Sequence, residues 1–111
     1  MALLLAIHIA AHSVTFTFRT RPATVHAAFV SKPVAECGSG RTVTLRGVHF
    51  VVHFMPAQSK TVVRRLPGTG VIRGAAKTCD FESDVAWAIG LDRRRPYNVV
   101  RSGARVTIVF R

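Results

Sequence analysis

Hydrophobic and polar residues alternate along several short segments of the chain. In residues 14–18, a valine and two phenylalanines occupy every second position, with two threonines between them. Successive side chains of a β-strand point to opposite faces, so this alternation predicts a strand with one buried face. Residues 48–54 repeat the pattern, with Val48, Phe50, Val52 and Phe54 on one face.

A strand with one large-residue face and one small-residue face is predicted at residues 85–91. The large side chains are those of Val85, Trp87, Ile89 and Leu91, whereas alanine and glycine stand between them. We expect Trp87 to lie in the core. The small face allows another segment of the chain to approach closely.

Turn residues separate the strand segments. Residues 38–40, Gly-Ser-Gly, predict a tight turn, and Pro56 is expected to end the long strand before it. We predict loops at residues 57–60 and 67–70, and between them an edge strand that Arg64 and Arg65 protect. A terminal hairpin is expected over residues 97–110.

These patterns give eight or nine short strands and no convincing amphipathic helix, which predicts an all-β fold, a small β-sandwich. The length of 111 residues is typical of one domain, so we assign residues 1–111 to a single domain. The first eleven residues are apolar but lack the basic start of a signal peptide, and they fit a strand as well as a short helix. No membrane-spanning segment is expected.

The charge balance is strongly basic. Sixteen Lys and Arg residues against five Asp and Glu give a net charge of +11. Such a chain attracts polyanions, which include nucleic acid, anionic lipid and acidic wall polymers. The densest cluster is Arg93-Arg94-Arg95, beside Tyr97.

The Arg93-Arg94-Arg95 turn has two interpretations. Beside a stacking ring it is the best candidate for nucleic-acid binding, whereas with Tyr97 packed inward it is a solvated turn. We expect these three arginines to be free of carboxylate partners and to form a polyanion-binding surface. Arg64 and Arg65 are candidate neighbours in that surface.

Three of the five acids cluster at Asp80, Glu82 and Asp84. On an extended strand they would share one face about 7 Å apart, a spacing that superficially suits paired-carboxylate hydrolysis. Such an enzyme also needs a cleft and a carboxyl group of raised pKa, which the sequence does not indicate. The bland alternative is that these acids pair with the nearby arginines or turn the chain. We expect them only to orient the loop, and we expect no enzyme activity.

The remaining candidate chemistry is sparse. His49 and His53 would stand about 13 Å apart along a strand, too far to share a zinc ion, and we expect them on the solvent face. Cys37 and Cys79 show no Cys-x-x-Cys spacing, so we predict no metal site and no cofactor. The two cysteines allow one disulfide without demanding it.

Two segments, Glu36 to Gly47 and Asp80 to Asp92, resemble the AMIN-like domain of actinobacterial secreted proteins and lipoproteins. The resemblance runs from Leu3 to Phe110, and it departs from the family pattern at Cys37, where an acid is usual. It implies a β-sandwich, an extracytoplasmic setting and no known catalytic activity. By relation to AMIN domains proper, it implies targeting or attachment at the cell wall.

Two functional hypotheses follow. The first is a non-catalytic cell-envelope domain that binds an acidic cell-wall polymer or peptidoglycan; the alternative is a basic cytoplasmic protein with non-specific nucleic-acid binding. An export signal upstream would place the protein outside the cytoplasm, and otherwise it stays inside. If it is exported, Cys37 and Cys79 are expected to pair, with Cα atoms within about 7 Å.

Overall fold

Twelve β-strands form the secondary structure of the computed structural model, which describes all residues from 1 to 111. They are β1 (Ala2–Ile9), β2 (Ser13–Phe18), β3 (Thr24–Val30), β4 (Val34–Ala35), β5 (Thr42–Val43), β6 (Val48–Met55), β7 (Ala57–Ser59), β8 (Arg65–Thr69), β9 (Ile72–Phe81), β10 (Asp84–Leu91), β11 (Tyr97–Ser102) and β12 (Arg105–Phe110). The predicted all-β sandwich is confirmed. The strands outnumber the eight or nine expected because β4, β5 and β7 have only two or three residues each. There is no helix with the length and hydropathy needed to cross a membrane.

Two five-stranded sheets face each other across the core. The first has the order β11-β12-β2-β1-β7 and the second the order β3-β6-β10-β9-β8, while β4 and β5 form a separate two-stranded ladder. Neighbouring strands are antiparallel except β1 and β7, which are parallel. The second sheet positions the site described below.

The core consists of the alternating apolar residues of both sheets. Phe16 of β2 packs against Phe54 of β6, with ring centroids 4.8 Å apart. Trp87 is fully buried, as its alternating position predicts, and it pairs with Val52 across the β10–β6 ladder. Burial of such large apolar side chains supplies most of the free energy that stabilises a fold of this size.

The outer face of the second sheet carries a smaller apolar cluster of its own, which residues 43–45 cover. The small-residue face of β10 makes this possible: a Cβ added at Gly90 would meet the Arg46 carbonyl oxygen at 2.5 Å. The prediction that another segment approaches this face is confirmed. We call residues 44–47, which cross the sheet here, the crossing segment.

The predicted boundaries are wrong between residues 57 and 70. Residues 57–59 form β7 instead of a loop, because they pair with the distant strand β1. Residues 67–69 continue β8 instead of turning, while residues 60–64 lie outside any strand. Pro67 is tolerated in β8 because this strand is at the edge of its sheet, where one side of the ladder needs no donor.

Candidate functional site

The basic turn, residues 92–96, follows β10 and contains one tight ion pair. Arg95 donates from Nε to Oδ1 of Asp92 at 2.9 Å and from Nη2 to Oδ2 at 2.8 Å. The expectation of three uncoupled arginines is therefore wrong for Arg95. The turn brings Asp92 and Arg95, three positions apart in the sequence, into contact. The guanidinium and the carboxylate form a bidentate pair, the geometry that gives the strongest hydrogen bonding between these groups.

This ion pair changes the titration of both groups. The Arg95 hydrogen bonds are the main cause that lowers the pKa of Asp92 to about 2, against a smaller opposing effect of burial. The backbone N–H of Arg93 and the positive charge of Arg73 lower the pKa of Asp92 further. The same pairing raises the pKa of Arg95. The Asp92 carboxylate is thus fully charged at neutral pH, and both of its oxygens accept hydrogen bonds from Arg95.

Arg93 and Arg94 remain available. Both side chains are exposed, and the ion pairs of the structure, His53–Asp84 and Arg95–Asp92, include neither of them. Arg94 lies over the ring of Phe29 in β3, with its guanidinium carbon 4.8 Å from the centroid. A guanidinium over an aromatic ring keeps its edge donors free, so Arg94 is positioned without being neutralised.

Tyr97 packs inward. Its hydroxyl donates to the Ala27 carbonyl oxygen at 3.2 Å, and its ring lies 4.7 Å from that of Phe50. Of the two interpretations of the basic turn, the structure therefore matches the solvated turn. Tyr97 does not offer a free face on which a nucleotide base would stack.

The other predicted arginines lie elsewhere on the second sheet. Arg65, at the start of β8, lines a surface pocket of about 370 Å³ together with Arg46 and Arg73. Arg64 faces a different pocket, which Glu36 and Asp80 also line. Arg64 is therefore surrounded by mixed charges, whereas no acidic residue lines the pocket of Arg65.

The crossing segment links the arginine pocket to the basic turn. Arg46 lines the pocket of Arg65, while the next residue, Gly47, lines a pocket with Lys32 and Arg94. Consecutive Cα atoms are about 3.8 Å apart, so the two pockets adjoin. We define the basic face as the five exposed cations of these two pockets: Lys32, Arg46, Arg65, Arg73 and Arg94.

The basic face extends from one edge of the second sheet to the other. Its members do not all lie on the same side, because the Phe29 ring under Arg94 packs against the core, whereas Arg46 lies over the outer side. Arg94 contacts Phe29 on β3 at one edge, and Arg65 belongs to β8 at the opposite edge. Four inter-strand spacings separate these edges, which corresponds to about 19 Å. The basic turn and Arg65 therefore lie at opposite edges of the second sheet and do not share a pocket.

Sequence reasoning missed Lys32, Arg46 and Arg73, because each is isolated along the chain and meets the others only in the fold. One signal was available. Arg46 precedes Gly47 and Arg73 precedes Gly74, and glycine marks places where backbones approach closely.

The acidic cluster does not share one strand face, so the geometry considered for a carboxylate pair is wrong. Glu82 and Ser83 form the turn between β9 and β10, with φ of 51° and 65°. Asp84 accepts from Nδ1 of His53 at 3.0 Å, and Asp80 accepts from the backbone N–H of Ser59 at 3.3 Å. These acids turn the chain or bind local partners, and none pairs with the basic turn.

The expectation that both histidines lie on the solvent face is wrong for His49. His49 is only 2% exposed, because the crossing segment covers it, and its Nε2 donates to the Leu45 carbonyl oxygen at 3.0 Å. His53 is half-buried beside Asp84. No three His, Cys, Asp or Glu side chains lie close enough together to hold a metal ion.

A disulfide joins Cys37 to Cys79 of β9, with Cα atoms 5.2 Å apart. It closes a loop across a sequence separation of 42 residues. The loop contains the crossing segment. The disulfide therefore links residues 34–47, which lie over the outer side of the second sheet and are called the covering layer, to β9 beneath them.

The family of this chain is identified by comparison of its sequence with models of known protein families. The family model of the AMIN-like domain matches residues 5–110, nearly the whole chain. The chain belongs to the AMIN-like domain family. Family membership suggests a domain associated with the cell envelope. No curated protein and no solved structure matches this AMIN-like domain.

Proposed function

We propose that this AMIN-like domain is a non-catalytic cell-envelope module that binds an acidic cell-wall polymer, or peptidoglycan carrying one, through its basic face. The observation that carries the proposal is the spread of five exposed cations, in two pockets lined by the consecutive residues Arg46 and Gly47, from one edge of the second sheet to the other. Asp92, an acid that senses the charge of Arg73, is already paired with Arg95. Arg93, exposed beside Arg94, extends the face.

The extracytoplasmic setting is supported by two independent features. The family is associated with the cell envelope, and the Cys37–Cys79 disulfide is of the kind that persists in oxidising compartments. A cytoplasmic protein would usually keep both thiols reduced.

A polymer fits the basic face better than a small ligand does. The cations extend over about 19 Å, the width of four inter-strand spacings. A repeating anion can contact several of them at once, and each contact adds to the others through effective concentration. A small anion would reach only one of the two pockets.

The nucleic-acid alternative loses its main support in the structure. Tyr97 is turned toward Phe50, and Phe29 is covered by the Arg94 guanidinium. Binding to single strands relies on exposed rings as well as on charge. Likewise, two of the three acids considered for hydrolysis, Asp84 and Asp80, are held by His53 and by the Ser59 amide, which favours a binding role over catalysis.

The test is cosedimentation with purified cell-wall sacculi that retain their anionic polymer. The double variant Arg93→Gln/Arg94→Gln should bind more weakly, by roughly fivefold per arginine, since a cation near an anionic surface is worth about 1 kcal/mol. The control variant Arg19→Gln/Arg105→Gln removes the same charge from exposed positions outside the basic face. It should bind nearly as well as the wild type.

Three outcomes would contradict the proposal. One is equal loss of binding in both variants, which would indicate a response to net charge alone. Another is no binding to sacculi at any salt concentration. The third is tighter, salt-sensitive binding to DNA than to sacculi at the same ionic strength, which would favour the alternative.

A further inference from the structure

We propose that Arg46, Arg65 and Arg73 form a pocket that recognises a phosphate group. The inference rests on the proposed function only for the source of that phosphate, which would be the wall polymer. The pocket itself is argued from its own residues.

Three arginines from three separate elements line one pocket. Arg46 comes from the crossing segment, Arg65 from β8 and Arg73 from β9, and together they line a pocket of about 370 Å³. All three side chains are exposed, and none belongs to an ion pair. Three like charges held together repel one another, and a bound anion would relieve that repulsion.

The walls of the pocket are fixed before any ligand binds. Arg65 donates from Nη1 to the Thr44 carbonyl oxygen at 3.2 Å, which links β8 to the crossing segment. On the other side, Nε2 of His49 holds the Leu45 carbonyl oxygen at 3.0 Å. The crossing segment also lies directly on Gly90. Pre-organised donors lose less conformational entropy on binding than mobile ones do.

The number of donors distinguishes phosphate from carboxylate. A carboxylate has two oxygens, and one arginine can satisfy both in a two-pronged pair, as Arg95 does for Asp92. A phosphate monoester offers three terminal oxygens and a charge of about −1.5 to −2 at neutral pH. Three guanidinium groups therefore match a phosphate and exceed what a carboxylate requires.

Asp92, which senses the charge of Arg73, does not compete for the pocket. The charge of Arg73 contributes to the low pKa of Asp92, which shows that the two groups sense each other. However, both oxygens of Asp92 accept hydrogen bonds from Arg95. The Arg73 guanidinium keeps its donors for a ligand.

The experiment is an NMR titration of the ¹⁵N-labelled protein with methyl phosphate, dimethyl phosphate and acetate as separate probes. Methyl phosphate should shift the backbone amides of Arg46 and Gly74 along a saturating curve, with a dissociation constant at least about tenfold below that of acetate, a difference of about 1.4 kcal/mol. Similar binding of dimethyl phosphate would indicate recognition of a phosphodiester within a polymer chain. Binding of the monoester alone would indicate a terminal phosphate.

Matched variants separate the pocket from net charge. Arg46→Gln/Arg65→Gln/Arg73→Gln should abolish the saturating shifts, whereas Arg19→Gln/Arg105→Gln/Arg111→Gln, with the same charge loss at exposed positions outside both pockets, should keep them. Replacement of the three pocket arginines by lysine should weaken binding, because an ammonium group lacks the planar fork. Because all three side chains are exposed, we expect the fold to survive, which the dispersion of the remaining amide signals will verify.

The inference is overturned if acetate binds as tightly as the phosphates, if both triple-glutamine variants behave alike, or if the three-lysine variant binds like the wild type. The phosphate titration and the sacculus cosedimentation test the two proposals independently. Phosphate binding without sacculus binding would uphold the pocket and refute the envelope role. Sacculus binding without phosphate binding would refute the phosphate pocket and uphold the envelope role.

Discussion

Cys37, in the covering layer, is joined to Cys79 on β9 by a disulfide that spans the outer face of the second sheet. Loss of this bond frees a loop with a sequence separation of 42 residues. The chain-entropy model gives such a loop about 4 kcal/mol. We expect Cys37→Ser/Cys79→Ser to lower the free energy of unfolding in urea by an amount of that order.

A reducing agent supplies the control for the disulfide prediction. It should lower the urea midpoint of the wild type and leave that of the double serine variant unchanged. A wild-type midpoint that does not respond to complete reduction would contradict the prediction.

Trp87 is the single tryptophan of the chain and is fully buried, so its fluorescence reports directly on the core. We expect blue-shifted emission in the native state and a red shift on unfolding. Trp87→Ala should cost about 3–5 kcal/mol, enough to unfold much of the population. Val62→Ala, at a side chain that is 91% exposed, is the control and should be nearly neutral. Native emission at the wavelength of solvent-exposed tryptophan would show that the burial is wrong.

The ion pair of Asp92 with Arg95 predicts a pH dependence of stability. Asp92 has a pKa of about 2 in the folded protein, below the value of about 3.9 expected in the unfolded chain. Because the folded pKa is depressed, the stabilisation is fully present above about pH 4 and is lost as the pH falls toward 2. We expect Asp92→Asn to be less stable than the wild type at pH 6, with a difference that disappears near pH 2.

Glu82→Gln is the comparison for Asp92, since Glu82 is an exposed turn residue that forms no ion pair. Its urea midpoint should follow the wild-type curve throughout this pH range. A wild-type advantage over Asp92→Asn that persists unchanged at pH 2 would contradict the assignment.

The arginines of the basic turn should separate into two classes. Arg94→Gln removes an exposed cation and should weaken retention on anionic polymer without lowering the urea midpoint. Arg95→Gln removes the partner of Asp92 and should lower the midpoint while reducing retention less. The reverse pattern in paired sedimentation and denaturation measurements would show that Arg95, and not Arg94, faces the ligand.

The sequence predicted those parts of the fold that depend on local alternation. Residues 85–91 show a large and a small face, and the structure buries Trp87 on one and covers Gly90 on the other. Residues 57–59 gave no such signal. They become a strand only because β1, more than fifty positions earlier, pairs with them, and a pairing of that kind is set by tertiary packing.

The candidate site was less predictable than the fold. A run of arginines is visible in the sequence, but its pairing with Asp92 depends on the geometry of the turn. Arg46 and Arg73 are distant in sequence and meet because the crossing segment lies on the sheet. His49 is buried for the same reason. Contacts between the covering layer and the sheet join distant parts of the chain. The alternation of residues within a single strand therefore cannot predict them.

The position of the disulfide also determines how the domain tolerates proteolysis. Residues 60–64 lie outside any strand, and Val62 in their midst is 91% exposed, which makes this stretch an accessible target for a protease. A single cut there falls inside the loop that Cys37 and Cys79 close. The two fragments stay covalently linked, so a nicked molecule keeps Arg46 and Arg65 in one piece until a reductant releases them. In an oxidising compartment, where reductants are scarce, such a cut therefore leaves the two halves of the molecule joined.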